Sequence, residues 1–245
     1  TLEGQNMADV ASSVKALVCD VFGTVVDWRG SIADEGQQRW AAKAPRVDWA
    51  AFAEAWRSLY HPSMQRVRSG ALPWTNLDGL HRMMLEETLV TFGVTGLTEA
   101  GKADLNKVWH RLHGWPDSAP GLLRLKQRFI ISALSNGNLA LLTNMARFAG
   151  LPWDCILASD IFRHYKPDPE VYLGAADMLG LEPYQVMMVA AHANDLHAAR
   201  ALGLATGYVY RPLEQGPDRA VERVPDGTFG YHADSFLDLA AQLGT

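Results

Sequence analysis

Four polar features of this sequence fall at or just beyond the ends of short apolar runs: Asp20 in DVFGT, the SNGN segment (135–138), Lys166 in YKPDPEVY, and Asp195 in HANDLH. Residues at strand ends converge on one crevice when the strands lie parallel in an open sheet. A carboxylate ending a buried strand is costly unless paired or used, and Gly23 and Thr24 supply the sharp turn that would hold Asp20 at the sheet edge. Asp20 is therefore a candidate nucleophile, with a plain turn cap as the competing reading. SNGN stands between a strand and a helix, where backbone N–H groups, the helix dipole and the Ser135 hydroxyl would suit a substrate carboxylate. An ordinary N-cap uses the same residues. Lys166 could keep Asp20 ionised or be a solvated surface lysine, and Asp195 could anchor Lys166, orient a water, or cap a helix over 196–202.

The elements that must position these groups are readable from periodicity. Runs at 14–22, 128–135, 155–159, 187–191 and 205–210 read as strands apolar on both faces, the mark of parallel strands covered by helices. Helical patterns lie between them, such as 139–149, and 168–179 with Pro169 in its first turn and Gly180 after its end. Strand alternating with helix predicts an α/β doubly wound sheet. From about 30 to 115 the alternation stops and only helical patterns remain: 48–60, 76–92 and 98–112. This stretch reads as an inserted helical cap over the strand ends, with His61-Pro62 interrupting its second helix. The expected division is a core of 14–29 with 116–245, a cap of 30–115, and a flexible extension at 1–13, where Met7 is a candidate natural start.

Composition narrows the function. The 245 residues are 48% hydrophobic, enough for a large core, and the net charge is -5 without a Lys/Arg run. That excludes an electrostatic footprint for nucleic acid or an anionic membrane and leaves a small molecule as the partner. No apolar stretch approaches the roughly 18 residues that cross a bilayer, and the first residues lack the form of a signal peptide. A cytoplasmic protein is expected, with Cys19 and Cys155 as reduced thiols.

Together these residues resemble the L-2-haloacid dehalogenases of the haloacid dehalogenase superfamily, over nearly the whole chain from about residue 14. The D-x-x-x-T motif is matched by Asp20 to Thr24, the strand-end Ser/Thr by Ser135, the motif lysine by Lys166 and the acidic motif by Asp195. The resemblance implies a Rossmann-like core with a four-helix-bundle-like cap. It implies hydrolysis of short 2-haloacids to 2-hydroxy acids, through an aspartyl ester and with inversion, and without metal or organic cofactor. Arg57 in FAEAWRSLY and Asn136 would bind the halide, Ser135 with Val21 and Phe22 the substrate, and K-P-D-x-x-V-Y nominates Tyr172. Relatives in the family also suggest a homodimer.

Phosphatases of the superfamily carry a second Asp two residues after the nucleophile and an acid four residues before the Asp195 position. Phe22 and Ala191 stand there instead, which argues against the rival reading as a magnesium-dependent phosphatase or phosphonatase. The intact Asp20, Lys166 and Asp195 set argues against a silent binding module. The chain departs from the family where S-S-N-A-W-D becomes Ala190-Ala191-His192-Ala193-Asn194-Asp195. His192 is expected to position or deprotonate the hydrolytic water, unless it is only hydrogen-bonded into a polar turn. Trp74 is expected to replace the family's missing Trp as apolar pocket wall, unless it is cap core. Fluoroacetate is left open as a substrate.

Overall fold

The computed structural model describes residues 13–219 and 221–245, so the extension expected at 1–13 lies, but for Ser13, outside the described residues. Six parallel strands form one sheet in the order β5-β4-β1-β6-β7-β8. They are β1 (Ala16–Cys19), β4 (Ile130–Ser135), β5 (Cys155–Ala158), β6 (Val186–Ala190), β7 (Ala205–Val209) and β8 (Tyr231–Ala233). The five strands expected from apolar runs are all present; three-residue β8 is additional. Chain order reverses at β1, with β4 and β5 on one side and β6 to β8 on the other. A crevice therefore opens beyond its carboxyl end. Cys19 pairs with both Ala133 and Val189, which brings Asp20, Asn136 and Ala191 to the same sheet edge.

Side chains alternate across the sheet, as the strand pleat demands. Leu17, Cys19, Ile131, Ala133, Met187 and Val189 join one apolar layer with the helices Ser118–Leu125, Leu139–Ala149 and Phe236–Gln242. Val18, Leu134 and Met188 face the opposite layer, formed with helices Pro169–Met178 and Ala193–Ala201. The expected strand over 14–22 is shorter because the chain turns at once after Asp20. Val25 and Val26 both donate to the Val21 carbonyl, and Gly23 takes φ +84.

Val26–Asp27 and His113–Gly114 pair as a two-stranded antiparallel ribbon, β2 with β3, which the sequence reading missed. Between its strands run the helices Trp28–Arg39, Trp49–Ser58, Tyr60–Arg68, Leu77–Thr91 and Glu99–Asn106, then a short 3-10 turn, Lys107–His110. Asp27, Asp48, Asn76 and Thr98 cap four of these helices by accepting from first-turn N–H groups. The interruption expected at His61-Pro62 falls slightly earlier, at Leu59. Pro62 has no N–H to give back to Ser58, so a new helix starts at Tyr60 and holds the proline in its first turn. The helical layer centres on Trp28, Phe52, Trp56 and Trp109, all fully buried. It is tied to the sheet side where the Tyr165 hydroxyl donates to the Thr75 carbonyl at 2.5 Å, and where Asn138 accepts from the Asp78 N–H at 3.1 Å. Among the described residues no helix is long and apolar enough to cross a membrane.

The close approach of helices Ser118–Leu125 and Phe236–Gln242 depends on Gly121. A Cβ there would lie 2.4 Å from Phe236 Cβ and 2.6 Å from its backbone carbon. Gly121→Ala should lower stability by about 1–3 kcal/mol, because backbone must move to admit the methyl group. An unchanged midpoint in urea denaturation would refute this.

Candidate active site

Asp20 is the centre of a buried ionic network. Its Oδ1 accepts from Lys166 Nζ at 3.0 Å, and its Oδ2 accepts from Thr24 Oγ1 at 2.8 Å and faces His192 Nδ1 at 3.1 Å. A turn cap would accept from backbone N–H groups; these partners are side chains, and two of them, Lys166 and His192, come from distant parts of the chain. Burial alone would push the Asp20 carboxyl up, but the Lys166 charge and the His192 hydrogen bond hold it well below the usual carboxylate range. Thr24 also accepts from the Ala191 N–H at 2.9 Å, so the hydroxyl links the ends of β1 and β6.

Lys166 is buried and bridges to Asp195 as well, which takes a second donor in the Tyr172 hydroxyl at 2.5 Å. Burial would lower the lysine, yet Asp195 and Asp20 raise it, so it remains an ammonium. Burial raises the Asp195 carboxyl above its ordinary value despite the Lys166 charge. Asp195 lies in the first turn of Ala193–Ala201 but makes no cap bond; its side chain is committed to Lys166 and Tyr172.

His192 caps that helix by position only. Its Nε2 lies 2.9 and 3.0 Å from the two oxygens of Glu214, a residue the sequence reading missed. With Nδ1 on Asp20 and Nε2 on Glu214, both ring nitrogens are taken. The expectation that His192 deprotonates water is corrected accordingly: no lone pair is free for it. Burial would lower this imidazole, but its bonds to Asp20 and Glu214 push it up to about 10.

A cavity of about 480 Å³ opens on Asp20, Lys166, Asn136, Tyr172, Asp195 and His192, and the helices of residues 49–68 supply its other wall. Arg57 lies there with its guanidinium 3.9 Å from the Tyr60 ring centroid, 5.5 Å from Phe22 and 5.7 Å from Trp28. Its Nη1 is buried without a hydrogen-bond partner, which leaves a cationic donor to an incoming anion. Asn136 accepts from the Lys166 N–H through Oδ1 at 2.7 Å, so its amide NH₂ is the donor end, and it is hydrogen-bonded to the Tyr60 hydroxyl at the cavity wall. Tyr60, three residues after Arg57, also lines the cavity; that spacing placed both on one side of the helical pattern.

Several expected contacts are placed differently. Ser135, Val21 and Phe22 are buried behind the cavity lining, and Ser135 Oγ accepts from the Gly137 N–H at 3.1 Å. The helix N-terminus after SNGN is not open to a substrate carboxylate, because Asp160 already accepts from the Leu139 N–H at 3.1 Å. Trp74 does not wall this cavity: it packs on Tyr165, ring centroids 5.0 Å apart, and lines a separate hollow with Arg163 and His164. Among the described residues no group of three or more His, Cys, Asp or Glu could hold a metal ion.

A doubly wound sheet thus carries an ionised Asp20 and its Lys166–Asp195 brace at the switch point, where open α/β sheets bind their ligands. The chain belongs to the haloacid dehalogenase-like hydrolase family, whose model matches residues 14–203. It is 29% identical over 203 residues to an (S)-2-haloacid dehalogenase of Xanthobacter autotrophicus, covering 81% of this chain and 76% of that one. Crystal structures of an L-2-haloacid dehalogenase (46% identity, TM-score 0.89, 94% of this chain and 98% of that one) and of a defluorinating L-2-haloacid dehalogenase (47%, TM-score 0.90, 95% and 96%) are similar throughout.

His192 gives a pH signature. Because its pKa rises from 6.5 to about 10 on folding, its stabilising contribution is complete below pH 6.5 and drains away as pH climbs through 10. Wild type should lose unfolding free energy across that window more steeply than His192→Gln. Parallel pH profiles in chemical denaturation would contradict the assignment.

Proposed function

We propose that this protein hydrolyses the carbon–halogen bond of short 2-haloacids, giving 2-hydroxy acids through an ester on Asp20. The observation that carries the reading is the pairing, in one cavity, of an ionised Asp20 with the buried, partnerless Arg57 Nη1. One is a nucleophile held in its reactive form; the other is a donor waiting for an anion.

In this reading Asp20 attacks the halogen-bearing carbon from behind, and the carbon inverts as halide departs toward Arg57 and the Asn136 amide. Water then attacks the Asp20 carboxyl carbon, its proton passing to Asp195, which Lys166 and Tyr172 orient. Residues 30–115 act as the cap over a core of 14–29 and 116–245, and closing it excludes water from the displacement. No step calls on a metal: Phe22 and Ala191 put apolar groups where a phosphatase needs carboxylates. A cytoplasmic setting suits the two free thiols, Cys19 and Cys155.

Halide release is the test, assayed with EDTA on chloro-, bromo- and fluoroacetate and on both 2-chloropropionate enantiomers. Release from haloacetates and the (S) enantiomer is expected, undiminished by chelation. Asp20→Asn should lose more than about a thousandfold, and Arg57→Ala about a hundredfold or more. Phosphate release from phosphoesters in place of halide release, or full turnover in Asp20→Asn, would overturn the reading.

A further inference from the structure

Cleaving the Asp20 ester makes a demand that forming it does not. When water adds to the carboxyl carbon, the carbonyl electron pair collapses onto one oxygen of Asp20, which then carries a full negative charge. The two oxygens are not equivalent. Oδ1 has Lys166 at 3.0 Å, while Oδ2 has Thr24 at 2.8 Å and His192 Nδ1 at 3.1 Å. Glu214 clasps the far side of the same ring with both oxygens. Its side chain is 6% exposed and takes a further bond from Trp28 Nε1 at 3.2 Å. Gly23 makes room for it: any Cβ there would lie 2.1 Å from Glu214 Oε1. A buried carboxylate braced this way, with His192 the cation bonded to it among the described residues, is placed to hold a proton on the imidazole.

We propose that Glu214 is a positioning residue that keeps His192 an imidazolium, whose Nδ1–H then stabilises the oxyanion on Asp20 Oδ2 during hydrolysis of the ester. This rests on the dehalogenase reading above. The step balances within the site. Water adds to the Asp20 carboxyl carbon and gives its proton to Asp195. The carbonyl pair moves onto Oδ2 beneath His192 and Thr24. As that pair returns, the bond from the carboxyl carbon to Oδ1 breaks and the 2-hydroxy acid takes the proton back from Asp195; the second proton of the water leaves the new carboxyl group for solvent, so Asp20 returns to a carboxylate that keeps one solvent oxygen.

The need for Glu214 follows from charge. Facing His192 are Asp20 from the end of β1 and Glu214 from the loop after β7. Lys166 and Asp195 lie beyond Asp20, and Arg57 and His61 come from the helical layer with opposing charge or partial charge. Esterification removes the Asp20 charge. Among the described residues Glu214 is then the anion left in contact to retain the imidazolium, at the moment the oxyanion requires it.

The test is Glu214→Gln with chloroacetate, under rapid quench, following halide and the carboxymethyl ester on the Asp20 peptide by mass spectrometry. The halide burst should stay within about threefold of wild type while ester decay slows roughly tenfold or more, the worth of a weakened oxyanion donor. Loss of decay at high pH should begin at a lower pH than in wild type. Ester decay and pH profile like wild type, or equal slowing of both steps, would overturn the role of Glu214 while leaving the dehalogenase reading intact. No halide from wild type on any haloacid would instead sink that reading. Should Glu214→Gln fail to fold, NMR of the wild-type ring decides: His192 doubly protonated at pH 8 is expected, and a neutral ring there refutes the proposal.

Discussion

The structure depends on one ammonium held between two buried carboxylates. Lys166 reaches across the switch point to Asp20 and Asp195, and every other feature of the site is arranged around that bridge. Removing one partner of such a buried pair leaves a charge without compensation, at a cost of about 3–5 kcal/mol. The bridge therefore ties β1, the Lys166 loop and the helix after β6 into one unit. It also decides the chemistry, because a carboxylate kept ionised in a dry site is a nucleophile and a protonated one is not.

The remaining charges complete the pattern. His192 stands between Asp20 and Glu214, and Arg57 is held against Phe22, Trp28 and Tyr60 with one donor free. In the proposed displacement, negative charge leaves Asp20 and appears on the halide beside Arg57, so the site keeps its total charge while shifting where it lies. Aromatic walls exclude water from that path and strengthen each contact. The fully buried His81, stacked on Trp109 at 4.1 Å, is kept neutral by burial and the nearby Arg57, so it adds no competing cation behind the guanidinium.

Much of this architecture was legible in the sequence, and the exceptions have physical reasons. Strands apolar on both faces and helices with proper start and stop residues announce themselves, as 139–149 does with Gly150 in the left-handed conformation after it. β8 and the β2–β3 ribbon are two or three residues long, too short for periodicity to register. Asp20, Lys166, Asp195 and Asn136 converge because strand ends converge. Glu214 was invisible: it is one acid in a proline-flanked loop, given meaning only by the fold that brings it to His192. The helix N-terminus after SNGN was misread for a related reason, since Asp160, its occupant, lies 21 residues along the chain. Trp74 was expected as pocket wall because the family's Trp is missing here, and its partner Tyr165, 91 residues further along the chain, could not be foreseen.

The central claim is that a carboxylate of the protein, and not water, attacks the substrate first. A single turnover in heavy-oxygen water, with enzyme in excess over chloroacetate, tests it directly. The account predicts that the label enters the Asp20 side chain and that the first glycolate formed is unlabelled. Label appearing at once in the product, with none in Asp20, would contradict it.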